Sequence, residues 1–359
     1  MSFNPSHPFL VPPLPPRGVD LNTPELLKKV IRARGHLSEL NGYSAAMPNP
    51  GLLMAPFIIQ ESVASSAIEN INTTVVEFIQ GQLFPETEQR APDKEVARYR
   101  EALLWGHENL PKVALSTRLI IGIQKTLLEK PEQGYRKLQN KIENTAAKET
   151  IYTPPIAAAI PKLMGSWEDF ANETGEDIDP LIRCALSHYQ FEAIHPFSDG
   201  NGRTGRILMV LQLVSHKILN TPILFISGYL NKNRSEYYRV LNAVTKTGDW
   251  HGYLNFMLDG FCEQSMQTKQ SLFKIKALHE EMKEKIKKNH PSAYSAELVD
   301  QLFMQPITTP VKLGTALGVH YTTASKKLKA LSDAGILATR KVGKHQFYAN
   351  SKLIELLSK

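Results

Sequence analysis

Apolar residues recur at helical spacing along most of this chain, and two short stretches depart from it. From Leu181 to Ile194, residues Leu181, Ala185, Leu186, Tyr189 and Ala193 fall on one helical face. Pro196 ends that helix, because the residue before a proline is driven out of helical backbone space. Arg203 to Leu219 predicts a second, buried helix, starting just after Gly200, Asn201 and Gly202. Its apolar run, Ile207 to Val214, contains Gln212 and is too short to span a membrane. Between Lys137 and Pro155 the helical period fails and a double proline closes the stretch, which predicts a loop or short hairpin. Phe261 to Asn289 reads as a charged helix that Pro291 stops. The pattern predicts a mainly α protein.

The last sixth of the chain has its own pattern. Thr308, Thr309 and Pro310 supply a cap and a first-turn proline for a helix through Leu317, which Gly318 breaks. From Tyr321 to Ala334, Ala324, Leu328 and Leu331 share one face, with Lys326, Lys327 and Lys329 largely elsewhere, and Gly335 ends the helix. Ile336 to Arg340 and Gln346 to Ala349 predict strands around the basic turn KVGKH. Two helices around a glycine turn, then a basic hairpin, resemble a winged helix-turn-helix domain. Residues 301–359 hold nine Lys or Arg and two Asp or Glu, whereas the preceding 300 residues hold 33 of each. All the formal excess charge of +7 sits in this segment. It suits DNA phosphates, while docking of a protein is the alternative.

The 359 residues, 42% of them hydrophobic, allow two or three domains with a sizeable core. Cys184 and Cys262 lie on apolar helical segments without metal-ligand spacing, so a reducing, cytoplasmic setting is expected and both read as packing residues. The proline-rich start, residues 1–20, lacks a basic segment followed by an apolar core and predicts an extended arm rather than a targeting signal.

The chemistry gathers in one turn, HPFSDGNGRTGR, from His195 to Arg206. A helix N-terminus offers unpaired N–H groups and positive dipole to an anion, and Gly200 and Gly202 let a phosphate approach the backbone. Arg203 and Arg206 lie three apart and can clamp phosphate oxygens. Asp199 offers a hard oxygen of the kind magnesium accepts beside nucleotide phosphates. His195 is the group that can take a proton near neutral pH. His7, Pro8 and Phe9 repeat the first three letters with no glycine run following, and read as structural.

Position for position, residues 195–206 match the HxFx(D/E)GNGRxxR signature, and the chain is identified as resembling the Fic (Fido) family, whose members transfer AMP from ATP to a protein hydroxyl. The resemblance covers about residues 10–260. It implies a Fic-type helical core with a β-hairpin flap, which would run from about Ile142 to Thr153 and align a target by strand addition. His195 would be the general base and Asp199 the Mg²⁺ ligand. ATP would meet Glu69, His195, Gly200, Asn201, Gly202, Arg203, Thr204, Gly205 and Arg206. Phe197 would fix the loop from the core. Tyr237 and Tyr238, after Arg234, resemble the family's aromatic pair near adenine and ribose, although by themselves they would read as core tyrosines.

In SVASSAIENINTT, Ser65, Glu69 and Asn70 fit the family's inhibitory pattern (S/T)xxxE(G/N). Ser65 can cap or stabilise the helix, Glu69 follows one turn later, and Asn70 begins to end it. The implied contact is Glu69 with Arg206, and the motif's place ahead of the core makes this a class II member. The expected layout is an N-terminal arm and helical region over 1–110 carrying the inhibitory helix (about 60–72), a catalytic core over 111–260, a helical linker over 261–290 and the winged helix domain over 291–359. The expected activity is an autoinhibited protein adenylyltransferase using ATP and Mg²⁺ on a Ser, Thr or Tyr hydroxyl, of another protein or of itself. A DNA-binding or toxin–antitoxin-like regulator with minor Fic activity is the alternative of another class, and different transfer chemistry such as de-AMPylation the alternative within the enzyme class. A homodimer contact through the 261–289 helix stays open, and no membrane partner is expected.

Overall fold

The computed structural model describes residues 3–46, 49, 51–130, 134–144, 149–175, 177–342 and 345–358. In chain order the helices and strands are α1 (Pro24–Ala45), α2 (Gly51–Ile68), α3 (Val75–Gly81), α4 (Ala91–Val113), α5 (Thr117–Leu127), β1 (Ile142–Asn144), β2 (Glu149–Tyr152), α6 (Ile160–Asn172), α7 (Pro180–Ile194) and α8 (Asn201–Ser215). There follow α9 (Ile226–Lys232), α10 (Arg234–Thr247), α11 (Trp250–Asn289), α12 (Ala296–Met304), β3 (Ile307–Thr308), α13 (Pro310–Leu317), α14 (Tyr321–Asp333), β4 (Ala338–Val342), β5 (His345–Ala349) and α15 (Ser351–Leu357). The fold is mainly helical, with two small antiparallel sheets, β1–β2 and β3–β5–β4.

The helices α7 and α8 form the centre. Asp179 Oδ1 accepts from Leu181 N–H at 2.8 Å and Pro180 opens α7, a side-chain cap plus a residue that needs no donor there. Almost every side chain of α7 is buried, so this helix is enclosed rather than amphipathic. Gln212, the polar residue in the apolar run of α8, is satisfied: its amide donates to Ala171 O and Ser187 Oγ, both at 3.2 Å. Close approach of α4 to α8 requires Gly106, where an added Cβ would stand 2.7 Å from Leu211 Cδ1.

Several expected boundaries shift. The buried helix spans Asn201–Ser215 and not Arg203–Leu219: it starts inside the glycine run and stops where Lys217 takes φ +57°. The stretch expected as a separate charged helix is the greater part of α11, one 40-residue helix that begins in the core at Trp250. The flap strands pair Ile142 with Tyr152 and Asn144 with Glu149, and the tip of the expected flap, residues 145–148, lies outside the described residues. The wing strand begins at Ala338 instead of Ile336, and its tip, residues 343–344, is also outside them. The N-terminal arm is pinned: Phe9 N–H donates to Thr153 O at 2.9 Å, and the Phe9 ring lies 5.6 Å from that of Tyr152.

Helix α2 is mostly apolar and is enclosed on two sides. Its inner face meets α4 and α9. There Glu61 is buried and accepts from Tyr99 Oη at 3.0 Å and Ser227 N–H at 2.9 Å. Its outer face belongs to a second cluster, in which Ile59 packs with Phe78, Val96, Ile307 and Phe347. Gln60 Nε2 donates to Leu357 O at 2.9 Å. The C-terminal segment therefore folds back onto the helix that leads to Glu69.

Candidate active site

His195 ends α7 in left-handed backbone, φ +50° and ψ +59°, a conformation that costs a non-glycine residue roughly 1–2 kcal/mol. Arg136 holds it there, its Nε donating to His195 O at 2.9 Å and its Nη2 to Pro155 O at 2.6 Å, which ties the loop to the root of the flap. Asn201 closes the turn from the other side: its Oδ1 accepts from Phe197 N–H at 2.9 Å and its Nδ2 donates to Phe197 O at 2.8 Å. The Asn201 amide thus shapes the loop, while Phe197 anchors it, fully buried between Tyr135 and Phe191. Gly200 caps α8 at φ +81°, a position that favours glycine. The first intrahelical bond, Thr204 N–H to Gly200 O at 2.9 Å, leaves the earlier N–H groups without an intrahelical acceptor. Burial chiefly, with Arg136 nearby, lowers His195 to about 4, although the Glu192 carbonyl, Glu69 and Asp199 oppose it; at pH 7 the ring is neutral.

Both arginines of the turn are engaged. Arg206 is 1% exposed; its Nε donates to Ser65 Oγ at 2.7 Å and its Nη2 to Ser65 O at 3.0 Å and Glu69 Oε1 at 2.8 Å. Ser65 therefore serves Arg206 from the last turn of α2 and does not cap the helix. Burial pushes the Glu69 carboxyl up, but Arg206, with Arg203 and His195, outweighs it and holds Glu69 below the usual range. Arg203 donates to Glu95 Oε2 at 2.6 Å, and Arg98 holds the other oxygen of Glu95 at 2.6 Å. Asn70, at φ +61°, accepts from Arg234 Nη1 at 3.0 Å. Gly202 is where Glu69 fits: an added Cβ would lie 2.3 Å from Glu69 Oε1.

Glu69 stands between two cavities. One, about 420 Å³, lies over the start of α8 and is lined by Glu95, Ser198, Asp199, Gly200, Asn201 and Arg203. The other, about 750 Å³, runs under the flap past Ile142, Ile151, Arg234, Tyr237, Tyr238 and Leu241. Glu69, His195 and Gly202 line both. Tyr238 is 38% exposed beneath the Arg234 guanidinium, whereas Tyr237 is buried, its Oη 2.7 Å from His188 Nε2. Thr204 and Gly205 sit in the buried first turn of α8, and Gly205 makes room for Glu192.

Residues 27–108 match the Fic/DOC family N-terminal domain, residues 114–213 the Fic/DOC family, and residues 278–353 the protein adenylyltransferase SoFic-like C-terminal domain. The chain belongs to the Fic family. Among curated relatives, the protein adenylyltransferase Fic of Nematostella vectensis is 26% identical over 242 residues, 65% of this chain and 53% of that protein. That of Drosophila willistoni is 35% identical over 114 residues, 30% of this chain and 20% of that protein. The chain thus spans about half of the first relative's length and less of the second's. A Fic family protein from Desulfovibrio desulfuricans G20 superposes with TM-score 0.56 at 20% identity, covering 91% of this chain and 96% of that one. Fic-1 from C. elegans gives 0.54 at 19% identity, over 70% and 75%. These two likenesses establish the Fic fold.

Beyond the signature, the Fic site draws on residues that the sequence reading did not single out. Arg136 and Glu95 lie 59 and 108 positions from their partners, and nothing in local pattern joins them. Glu192 did carry a signal, a carboxylate in an otherwise apolar helix end three residues before His195. Its Oε1 is buried without a hydrogen-bond partner. Burial, with the Glu69 charge, pushes Glu192 to about 7 against the pull of Arg206.

Proposed function

We propose that this chain is a protein adenylyltransferase held in a closed state by Glu69. The observation that carries the reading is the position of that carboxylate: bonded to Arg206 at 2.8 Å, it forms the wall between the cavity over α8 and the cavity under the flap. An ATP molecule with its base beside Tyr238 and its phosphates over the first turn of α8 has to cross that wall. While Glu69 stays, its charge repels the terminal phosphate and it occupies the guanidinium that would bind it. When Glu69 leaves, Arg206 keeps its bonds to Ser65 but loses its carboxylate partner, and the Gly202 backbone, which carries no Cβ, borders the opened passage.

Neutral His195 then takes the proton from a target hydroxyl, whose oxygen bonds to the α-phosphorus as the bond to the β-phosphate oxygen breaks and pyrophosphate leaves. The unpaired N–H groups of the first turn of α8 stabilise charge on the phosphate oxygens, and Arg203 and Arg206 neutralise the leaving group. Flap strands β1 and β2 present an edge to which an extended target segment can pair.

The donor set fits a magnesium ion that arrives with the nucleotide. Among the described residues no cluster of three or more His, Cys, Asp or Glu could hold a metal. Asp199 offers one side chain, 74% exposed, whose Oδ1 accepts from Gly200 N–H. Asp199 would hold such an ion together with the nucleotide's own phosphates, and the ion would supply neutralisation of phosphate charge.

The test is transfer from α-labelled ATP with Mg²⁺ into a cell lysate, comparing wild type with Glu69→Gly and His195→Ala. Strong labelling by Glu69→Gly, weak labelling by wild type and none by His195→Ala are expected. Equal labelling by wild type and Glu69→Gly overturns the closed state, and absence of label in every lane overturns the activity.

A further inference from the structure

We infer that the C-terminal domain binds duplex DNA through the outer face of α14 and strand β4. The inner face of α14 is fixed by Ala324, Leu328 and Leu331, each 0% exposed. At 100° per residue, Thr322, Lys326 and Lys329 then fall on the opposite side, and all three are exposed. The turn into α14 is tight for a stated reason. Gly318 takes φ +64°, and a Cβ at Gly314 would stand 2.9 Å from Val319 O, so α13 and the start of α14 approach at backbone distance. The first turn of α14 carries exposed Tyr321, Thr322 and Thr323. Tyr321 is the single exposed large apolar side chain on α14 among the described residues.

Charge selects the partner. Lys327 and Lys312 are engaged within the chain, on Ala293 O at 2.8 Å and Gln82 O at 2.6 Å. Among the described residues Lys326 and Lys329 on the ridge and Lys341 on edge strand β4 are exposed cations without an ion pair. Arg340, beside Lys341, reaches Gln80 at 3.4 Å. Two cations on a helix and a third on an edge strand can each meet a phosphate beside a groove. A helix of about 10–12 Å diameter enters the major groove of B-form DNA, about 12 Å wide, whereas the deep, narrow major groove of A-form RNA excludes it.

The test uses the full chain and a fluorescent random-sequence DNA duplex, read by anisotropy across a salt series. It includes Lys326→Ala/Lys329→Ala, and Lys162→Ala as an exposed lysine far along the sequence. Wild type is expected to bind at low salt and to lose affinity steeply as salt rises. The double variant should bind about ten-fold more weakly, with a salt slope shallower by about 2. Lys162→Ala should match wild type, and an RNA duplex of the same sequence should bind more weakly than DNA. Absence of DNA binding at low salt overturns the inference, as does equal binding by the double variant, equal weakening by Lys162→Ala, or equal affinity for RNA. Capture of an acidic protein through Lys326 and Lys329 without DNA binding would overturn it in favour of a protein partner. Thermal melting of each variant separates loss of binding from loss of fold.

Discussion

The turn from His195 to Arg206 and the turn from Ser65 to Asn70 meet at one salt bridge, yet they are built differently. The first is shaped largely from within: Asn201 clasps Phe197 four residues away, Gly200 supplies the left-handed cap, and Phe197 fills the core below. The second is closed by backbone bonds alone, Glu69 and Ile71 N–H to Ser66 O and Asn70 N–H to Ala67 O, while its side chains Ser65, Glu69 and Asn70 reach outward to Arg206 and Arg234. Glu69 lies just past the end of α2, and its position depends on what encloses that helix: Arg206 and Ser227 on one side, Phe347 and Leu357 on the other. A turn that carries its own supports can keep a chemical geometry fixed, while a segment held from outside can be released.

Four substitutions probe that contrast, in descending order of expected effect. His195→Ala removes the proposed proton acceptor and should lower AMP transfer by about 10²–10⁴-fold, measured in the Glu69→Gly background where the signal is expected to be large. Residual transfer near that of the parent would show that the loop's geometry, and not its base, carries the rate. Glu69→Gly alone should raise transfer at least about ten-fold, equivalent to about 1.4 kcal/mol, and tighten ATP binding by calorimetry. Phe347→Ala opens a cavity against Ile59 and Phe78, and should cost about 3–5 kcal/mol of stability. If α2 is held from outside, this variant should also raise transfer about two- to five-fold, less than Glu69→Gly; a loss of stability with unchanged transfer would break the comparison.

The smallest effect concerns pH. Burial, with Arg206 nearby, lowers His188 to about 3, so between pH 6.5 and 3 the unfolded chain binds a proton there that the folded chain refuses. Folding stability must then fall as pH falls through that window, by up to about 1.4 kcal/mol per pH unit for this one group. Glu192, raised to about 7, contributes with the opposite sign between pH 4.5 and 7, as does any group that binds more protons when folded. The comparison of wild type with His188→Gln isolates the histidine: denaturant unfolding at pH 6 and pH 4.5 should show a shallower acid loss in the variant. Parallel curves would mean that His188 is protonated in the folded protein.

Much of this was legible in the chain, and the reasons differ from part to part. The mainly helical fold followed from apolar spacing, and α7 and α14 began within a residue of expectation because capping residues and prolines act over one turn. Helix α8 ran differently because a glycine cap allowed it to begin at Asn201. Tyr237 and Tyr238 are adjacent in sequence and received the same expectation, yet one is buried against His188 and the other half-open beside Arg234. Successive helical residues point 100° apart, and only the packing of α10 decides which one turns inward.

The sequence by itself determined what chemistry is on offer, because a base, a carboxylate, glycines and two arginines within twelve residues share one turn however the chain folds around them. Tertiary structure alone decided how that chemistry is held. It brought Glu69 to Arg206 across 137 positions, Glu95 to Arg203 across 108, and the basic C-terminal segment onto the outer face of α2. Local backbone preferences act over a few residues, whereas contacts at such separations exist only once the helices have packed, so the Glu69–Arg206 contact is a property of the fold.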